Sequence, residues 1–236
     1  MVKAITFDFW NTLYIIPSDK CLSSLRIQRL DKILRVAGWE FSPEKLRAAL
    51  KYGWQKAWFQ QRAFGEETTP RGHVKDILEK LGVDPAKGDV GETAYQAYTT
   101  TLLDLPPVVN EGVLETLPLL AGEYKLAIIC NTGATPGAIL RELLKKDGLI
   151  DYFGVMVFSD EVGFAKPSTR IFNYALEHLG IANSADAAHI GDDAITDVIG
   201  AKKAGMKAVW LAPGENWAVP EADYHVRKVN ELIKLF

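Results

Sequence analysis

The sequence predicts an α/β fold, a parallel sheet with helices on both faces, interrupted by one all-helical segment. Three observations carry this expectation. Short apolar, β-branched runs at residues 4–7, 126–129, 155–158, 188–190 and 208–211 have the length of buried strands. Between them, over residues 107–236, apolar residues recur at helical spacing, the alternation that builds a parallel sheet covered on both sides. Residues 17–105, by contrast, carry helical stripes and no clear strand.

Taken in order, the first run is apolar throughout and delivers Asp8 to its carboxyl edge. Leu22, Leu25, Leu30, Ile33, Leu34 and Ala37 then form one helical face, which Gly38 ends. Ser42 and Pro43 supply an N-cap and a first-turn proline for a second helix containing Leu46, Leu50, Trp54, Ala57 and Trp58. A third helix is expected over 73–81, closed by Gly82, and a fourth over 92–103, before Pro106 and Pro107 end the segment. Beyond it, Ile139, Leu140, Leu143 and Leu144 define one covering helix, and Ile171, Phe172, Ala175, Leu176 and Leu179 define another. Gly180 and Gly205 stand where helix C-terminal caps are expected. The expected division is therefore a Rossmann-like core from 1–16 and 106–236, with 17–105 as a helical insertion. Ligands of open parallel sheets bind at the carboxyl ends of strands, so a helical lid rooted just after Asp8 would cover that edge and exclude water.

Composition narrows the partners. Of 236 residues, 48% are apolar and 24% charged, and 27 Lys and Arg against 30 Asp and Glu give a net charge of -3. No strong positive field favours nucleic acid. Cys21 and Cys130 are far apart and show no metal or disulfide spacing. Asp8 and Asn11 interrupt the first apolar run, no small-residue cleavage site follows, and no stretch approaches the roughly 18 apolar residues of a membrane span. A cytoplasmic protein without a membrane or nucleic-acid partner is expected.

Four strand ends carry the chemistry. Asp8, Trp10, Asn11 and Thr12 follow the first strand; Cys130, Asn131, Thr132 and Gly133 follow the second. Ser159, Asp160 and Lys166-Pro167 lie beyond the third; Gly191, Asp192, Asp193 and Asp197 follow the fourth. A carboxylate nucleophile, small donors, one cation and an acidic cluster suit an anionic ligand with a hard divalent metal. Adjacent Asp192 and Asp193 at a strand end would repel one another without a cation.

These four elements, in this order, resemble the haloacid dehalogenase-like hydrolase superfamily, and Gly191-Asp192, Asp197-Val198, Gly200-Ala201 and Ala204-Gly205-Met206 are similar to its phosphatase branch. The insertion has the position of that superfamily's helical cap. The resemblance implies that Asp8 attacks phosphorus to give an aspartyl-phosphate, splitting one displacement into two. It implies Mg²⁺ held by Asp8, the Trp10 backbone carbonyl and Asp192, with Asp193 or Asp197 completing or orienting the set. Lys166 would neutralise the crowded charge and hold Asp8 beside the phosphoryl group, while Thr12, Cys130, Asn131, Thr132 and Gly133 would bind a small phosphorylated substrate.

Two positions depart from the pattern. The family's phosphatases usually carry a second Asp, as general acid and base, where this chain has Trp10. An indole N–H cannot exchange protons near neutral pH, and losing such a group typically costs about 10²–10⁴ in rate. Cys130 stands where a Ser or Thr hydroxyl normally contacts phosphate. The leading expectation is a magnesium-dependent phosphohydrolase that is slow or prefers leaving groups of low pKa. Trp10 equally suits a 2-haloacid dehalogenase, whose halide leaves without a proton, and the two altered positions suit a degenerate member that only binds a phosphorylated ligand. Elsewhere, Trp54, Trp58, Phe59 and Phe64 are expected inside the helical insertion. Arg62, Arg71 and His73, around the polar loop 66–70, are expected in solvent. His189 is expected to be packed, and Cys130 to be a buried small hydrophobe.

Overall fold

The computed structural model describes residues 1–212, 214 and 219–236. Strand β1 (Ala4–Phe7) is buried along its whole length because it has a neighbour on each side and a packed layer on each face. The other strands of its sheet are β4 (Lys125–Cys130), β5 (Val155–Phe158), β6 (Ala187–Gly191), β7 (Lys207–Leu211) and β8 (Tyr224–Val226). The spatial order is β5-β4-β1-β6-β7-β8, and every pairing is parallel. Phe7 sits in register with Ile128 of β4 and Ile190 of β6, so the chain leaving these three strands emerges at one edge. The strand order reverses there, on either side of β1, which opens the crevice where such sheets bind ligands.

Side-chain alternation explains the continuous apolar runs. Ile5 and Phe7 of β1, with Leu126, Ile128 and Cys130 of β4, enter one core beneath α6 (Val113–Ala121) and α7 (Gly137–Lys146). Ala4, Ala127 and Ile129 enter the opposite core, against α9 (Thr169–Leu179) and α10 (Gly200–Lys203). A strand buried on both faces has no polar side to show.

The helical segment has a core of its own. It comprises α1 (Asp19–Val36), α2 (Pro43–Phe64), α3 (Pro70–Leu81), α4 (Val90–Thr99) and the short α5 (Thr101–Asp104). Leu30, Leu34, Leu46, Leu50, Val74, Ile77, Leu78 and Tyr98 fill it. Ser18, Ser42 and Thr69 accept backbone N–H bonds at the starts of α1, α2 and α3, as N-caps do.

The aromatic residues of α2 correct the sequence reading. Trp54, Trp58, Phe59 and Phe64 are not interior: they are 40%, 58%, 55% and 61% exposed. The buried face of α2 runs instead through Leu46, Ala49, Leu50, Gly53 and Ala57. A Cβ at Gly53 would lie 2.8 Å from Ile77 Cγ1, so α2 and α3 approach too closely for aromatic rings between them. His73 is the converse correction: it is fully buried, with Nε2 3.2 Å from the Tyr98 hydroxyl. The third helix begins at Pro70 rather than at 73, and the fourth is broken after Thr99.

Three strands escape the sequence pattern because they are too short to show a period. They are β8, at the sheet edge, and the antiparallel pair β2 (Tyr14–Ile15) and β3 (Val108–Val109), which brackets the helical segment. A short helix, α8 (Ser159–Val162), follows β5, and a π-helical turn (Ala194–Ile199) follows β6. Among the described residues no helix is long and apolar enough to cross a membrane. Cys21 is exposed on α1, whereas Cys130 is buried.

The β2–β3 pair is anchored by Tyr14, whose hydroxyl donates to Asp147 Oδ2 at 2.9 Å at the end of α7. Tyr14→Phe removes that bond and leaves a carboxylate without its donor. Urea unfolding should show a loss of about 1.5–3 kcal/mol, the usual range for a hydrogen bond to a charged group.

Candidate active site

Asp8 stands one residue past β1, where the parallel ladder still holds its backbone: its N–H donates to the Ile190 carbonyl at 2.8 Å. Lys166 comes from the loop that Ser168 closes as N-cap of α9. The Asn131 side chain fixes that loop from both sides. Its Oδ1 accepts from the Lys166 N–H at 2.8 Å, and its Nδ2 donates to the Lys166 carbonyl at 2.9 Å. The Lys166 ammonium is thereby placed 2.6 Å from Asp8 Oδ1 and 2.6 Å from Asp197 Oδ1. Asp8, Asp197 and Lys166 are all buried.

Asp192 and Asp197 follow β6. The π-helical turn folds Asp197 back under the strand end, so that its Oδ2 accepts the Asp193 N–H at 2.9 Å. His189 Nε2 lies 3.3 Å from Asp197 Oδ1, and its Nδ1 lies 2.8 Å from the Thr6 hydroxyl. Asp8, Asp192 and Asp197 each offer a carboxylate oxygen, and the three oxygens lie within 4.8 Å of one another. Asn11, held in the left-handed region at φ 55°, donates to Asp192 Oδ2 at 3.0 Å. Asn tolerates that backbone conformation better than most residues, which suits it to this turn.

The charges do not balance. Burial pushes the Asp8 carboxyl up against the pull of Lys166, and Asp197 and Asp192 add to the rise. Burial raises Asp192 as well, with Asp197 in the same direction. Burial opposes the charge of Asp197 too, but Lys166 and His189 outweigh it and hold that carboxyl below the ordinary range. Burial would lower the Lys166 ammonium, and Asp197 and Asp8 reverse this, so it remains a cation. Burial pushes the His189 imidazole below its ordinary range, against the pull of Asp197. Three clustered carboxylates therefore share a single ammonium. Hard oxygen donors with an excess of negative charge are what a divalent cation of the Mg²⁺ type accepts, so the residues present fit such an ion. The Trp10 carbonyl, two residues after Asp8, accepts no hydrogen bond from the described residues.

The other sequence-predicted residues divide. Asp193 lies outside the carboxylate trio: its Oδ1 caps the π-helical turn, accepting from Ile195 and Thr196 N–H at 2.8 and 2.9 Å, and its Oδ2 pairs with Arg62 of α2. Arg62, expected in solvent, instead ties the helical segment to the strand end. Asn131, Thr132 and Gly133 line a cavity of about 380 Å³ with Trp10 and Trp54, between the helical segment and the sheet edge. Neither Thr12 nor Cys130 lines it. Among the described residues the buried Thr12 hydroxyl has no partner, and burial raises the Cys130 thiol, so it is no thiolate nucleophile. The Thr132 N–H donates to Ser159 Oγ at 2.9 Å.

Sequence reasoning placed Asn11 and Ser159 at the strand ends without a role, expected Arg62 in solvent, and missed Glu67. The last is a loop carboxylate that burial pushes up to about 7, with Gln61 donating to its Oε2 at 3.0 Å. Asn11 was legible as a turn residue beside the nucleophile; the other three depend on tertiary packing, which no local pattern records.

A carboxylate–lysine site at the switch point of a parallel α/β sheet is thus on hand. A model of the haloacid dehalogenase-like hydrolases matches residues 2–205, and the chain belongs to that family. It is 36% identical over 220 residues to 5-amino-6-(5-phospho-D-ribitylamino)uracil phosphatase YigB of Escherichia coli, covering 90% of this chain and 84% of that protein. To pyrimidine 5'-nucleotidase YjjG of the same organism it is 33% identical over 153 residues, 65% of this chain and 64% of that protein, so the match spans less than two thirds of YjjG. Among solved structures, a HAD phosphatase from Thermococcus onnurineus superposes with a TM-score of 0.68 at 27% identity, over 99% of this chain and 97% of its own. The protein is a hydrolase of this family.

Two substitutions test the site's construction. A Cβ at Gly191 would lie 2.3 Å from Asp197 Cγ, so Gly191→Ala must displace the carboxylate that holds Lys166. A stability loss of about 1–3 kcal/mol in urea unfolding is expected. Glu67, with its carboxyl raised from 4.5 to about 7, binds its proton in the folded state more tightly than in the unfolded one. Its contribution is therefore favourable at low pH and is lost as pH rises from 4.5 to 7. Glu67→Gln should leave stability near wild type at pH 5 and raise it by on the order of 2 kcal/mol at pH 8, read as the difference between the two unfolding curves.

Proposed function

We propose that the protein is a magnesium-dependent phosphohydrolase acting through an aspartyl-phosphate on a small phosphorylated metabolite. The observation that carries this reading is the convergence of Asp8, Asp192 and Asp197 within 4.8 Å, with Lys166 bonded to two of them. Bound Mg²⁺ would be held by Asp8, Asp192 and the Trp10 carbonyl, and would supply charge neutralisation for an incoming phosphoryl group. Asp197, its oxygens already engaged by Lys166, His189 and the Asp193 N–H, orients the set from behind.

Lys166, by holding Oδ1, fixes the rotation of the Asp8 carboxylate and keeps a positive charge beside it. An Asp8 oxygen attacks phosphorus as the ester P–O bond breaks; water then cleaves the acyl phosphate, releasing inorganic phosphate and restoring Asp8. The leaving oxygen needs a proton that Trp10 cannot give. Leaving groups that depart as stable anions are therefore favoured. Residues 17–105 act as the cap over this edge, and the cavity of about 380 Å³ beneath them admits a small molecule. The names of the YigB and YjjG relatives, a phosphatase and a nucleotidase, support a phosphate ester as substrate.

Trp10 also favours a second reading, 2-haloacid dehalogenase, because halide needs no proton. Against it, three clustered carboxylates would repel a carboxylate substrate. Halide release from a 2-haloacid in EDTA would decide for that reading.

With p-nitrophenyl phosphate, activity should vanish in EDTA and return with Mg²⁺. Asp8→Asn should lower turnover by at least about 10³-fold, as removal of a nucleophile does; unchanged turnover would show the assignment to be wrong. Across a series of esters, rates should fall steeply with leaving-group pKa, aryl and acyl phosphates exceeding alkyl phosphates by about 10²–10⁴.

A further inference from the structure

Arg26, on α1, is only 4% exposed and has no acidic partner within ion-pair distance among the described residues. Its contacts are all with neutral groups. Nε donates to the Thr101 hydroxyl at 3.3 Å and Nη2 to the Thr135 hydroxyl at 3.2 Å, while the guanidinium carbon lies 5.0 Å from the Tyr98 ring centre and 5.6 Å from that of Trp54. Nη1 donates to no described residue. Asp19 lies on the same cavity and acts on Arg26 only from a greater distance.

Buried arginines are normally paired, because a desolvated charge without a counter-charge is costly. Arg26 is held in place by two hydroxyls and two rings, and burial works against its charge, which Tyr98 and Asp19 only partly offset. It lines the cavity shared by Trp10 and residues 131–133, the loop whose Asn131 positions Lys166. A fork of N–H donors fixed in a cavity of this kind matches a planar or tetrahedral oxyanion.

We propose that Arg26 receives a second anionic group, a carboxylate or a further phosphate, on the phosphorylated substrate, and so selects doubly anionic substrates. This rests on the phosphohydrolase reading and names the substrate class within it. Anchoring the far end of the substrate at a rigid guanidinium would aim its phosphoryl group at the strand edge without any motion of Arg26.

The test compares aryl phosphates whose phenols leave with similar ease: (carboxymethyl)phenyl and (phosphonomethyl)phenyl phosphates against the methylphenyl phosphates, each in its ortho, meta and para forms. In the wild-type enzyme with Mg²⁺, kcat/KM for at least one anionic-tailed ester should exceed that of its methyl counterpart by about ten- to a hundredfold, mostly through KM. The carboxylate and phosphonate arms show which oxyanion fits. Arg26→Met should bring the ratio close to one, and Arg26→Lys should restore part of it. A ratio near one in the wild type would overturn the proposal, as would a ratio that survives Arg26→Met, or equal loss on both esters, which is what a purely structural strut would give. The wild-type ratio requires no variant, so a Met variant that fails to fold leaves the test standing. Hydrolysis of p-nitrophenyl phosphate in the same assays keeps the two readings apart: its absence would sink the phosphohydrolase assignment, and its presence without tail selectivity would sink only the role of Arg26.

Discussion

A single buried ammonium, that of Lys166, bridges the strand ends that make up this site. It bonds to Asp8 after β1 and to Asp197 after β6, and its own backbone is clamped by Asn131 after β4. Three adjacent strands are thereby tied together at their carboxyl edge by one side chain from a fourth loop. Without that charge, two buried carboxylates would face each other across the switch point, and burial would drive them toward the neutral form. The sheet supplies the proximity; the lysine makes it tolerable.

The helical segment answers to the same edge. It has its own apolar core, yet its polar and aromatic contacts with the sheet domain are concentrated on the loops that carry the site. Arg62 pairs with Asp193, Arg26 reaches Thr135, and the Trp54 ring lies 3.2 Å from where a Cβ at Gly133 would be. Gly133, at φ 61°, has both the backbone freedom and the bare Cα that this contact needs. The neighbouring exposed rings of α2 are what remains of the aromatic stretch once the close α2–α3 packing has claimed the small residues.

Much of the architecture was legible because strands buried on both faces leave continuous apolar runs, and because Ser42-Pro43, Gly82 and Gly180 are chemically explicit helix boundaries. The two-residue strands were not legible, since a period cannot be seen in two residues. Within the site, Asp8, Lys166, Asp192 and Asp197 stood out as carboxylates and a cation at strand ends. The hydroxyl of Thr12 pointed inward instead, and Asp193 turned to capping and to Arg62, because a local motif does not say which side of a turn faces the cavity. The place of Arg26 could not be read at all. On its helix it looks like any charged residue flanking an apolar stripe, and only the packing of α2, α4, α5 and the loop after β4 around it removes it from water.

The distribution of the two thiols has a practical consequence. Cys130 lies in the sheet core with its proton held firmly, while Cys21 is exposed on α1, one turn and a residue ahead of Arg26. A maleimide dye added to the unaltered chain would therefore attach at one place, on the very helix that reaches down to the cavity. The native protein thus carries a built-in address for a fluorescent reporter of what its helical layer does when a small molecule enters.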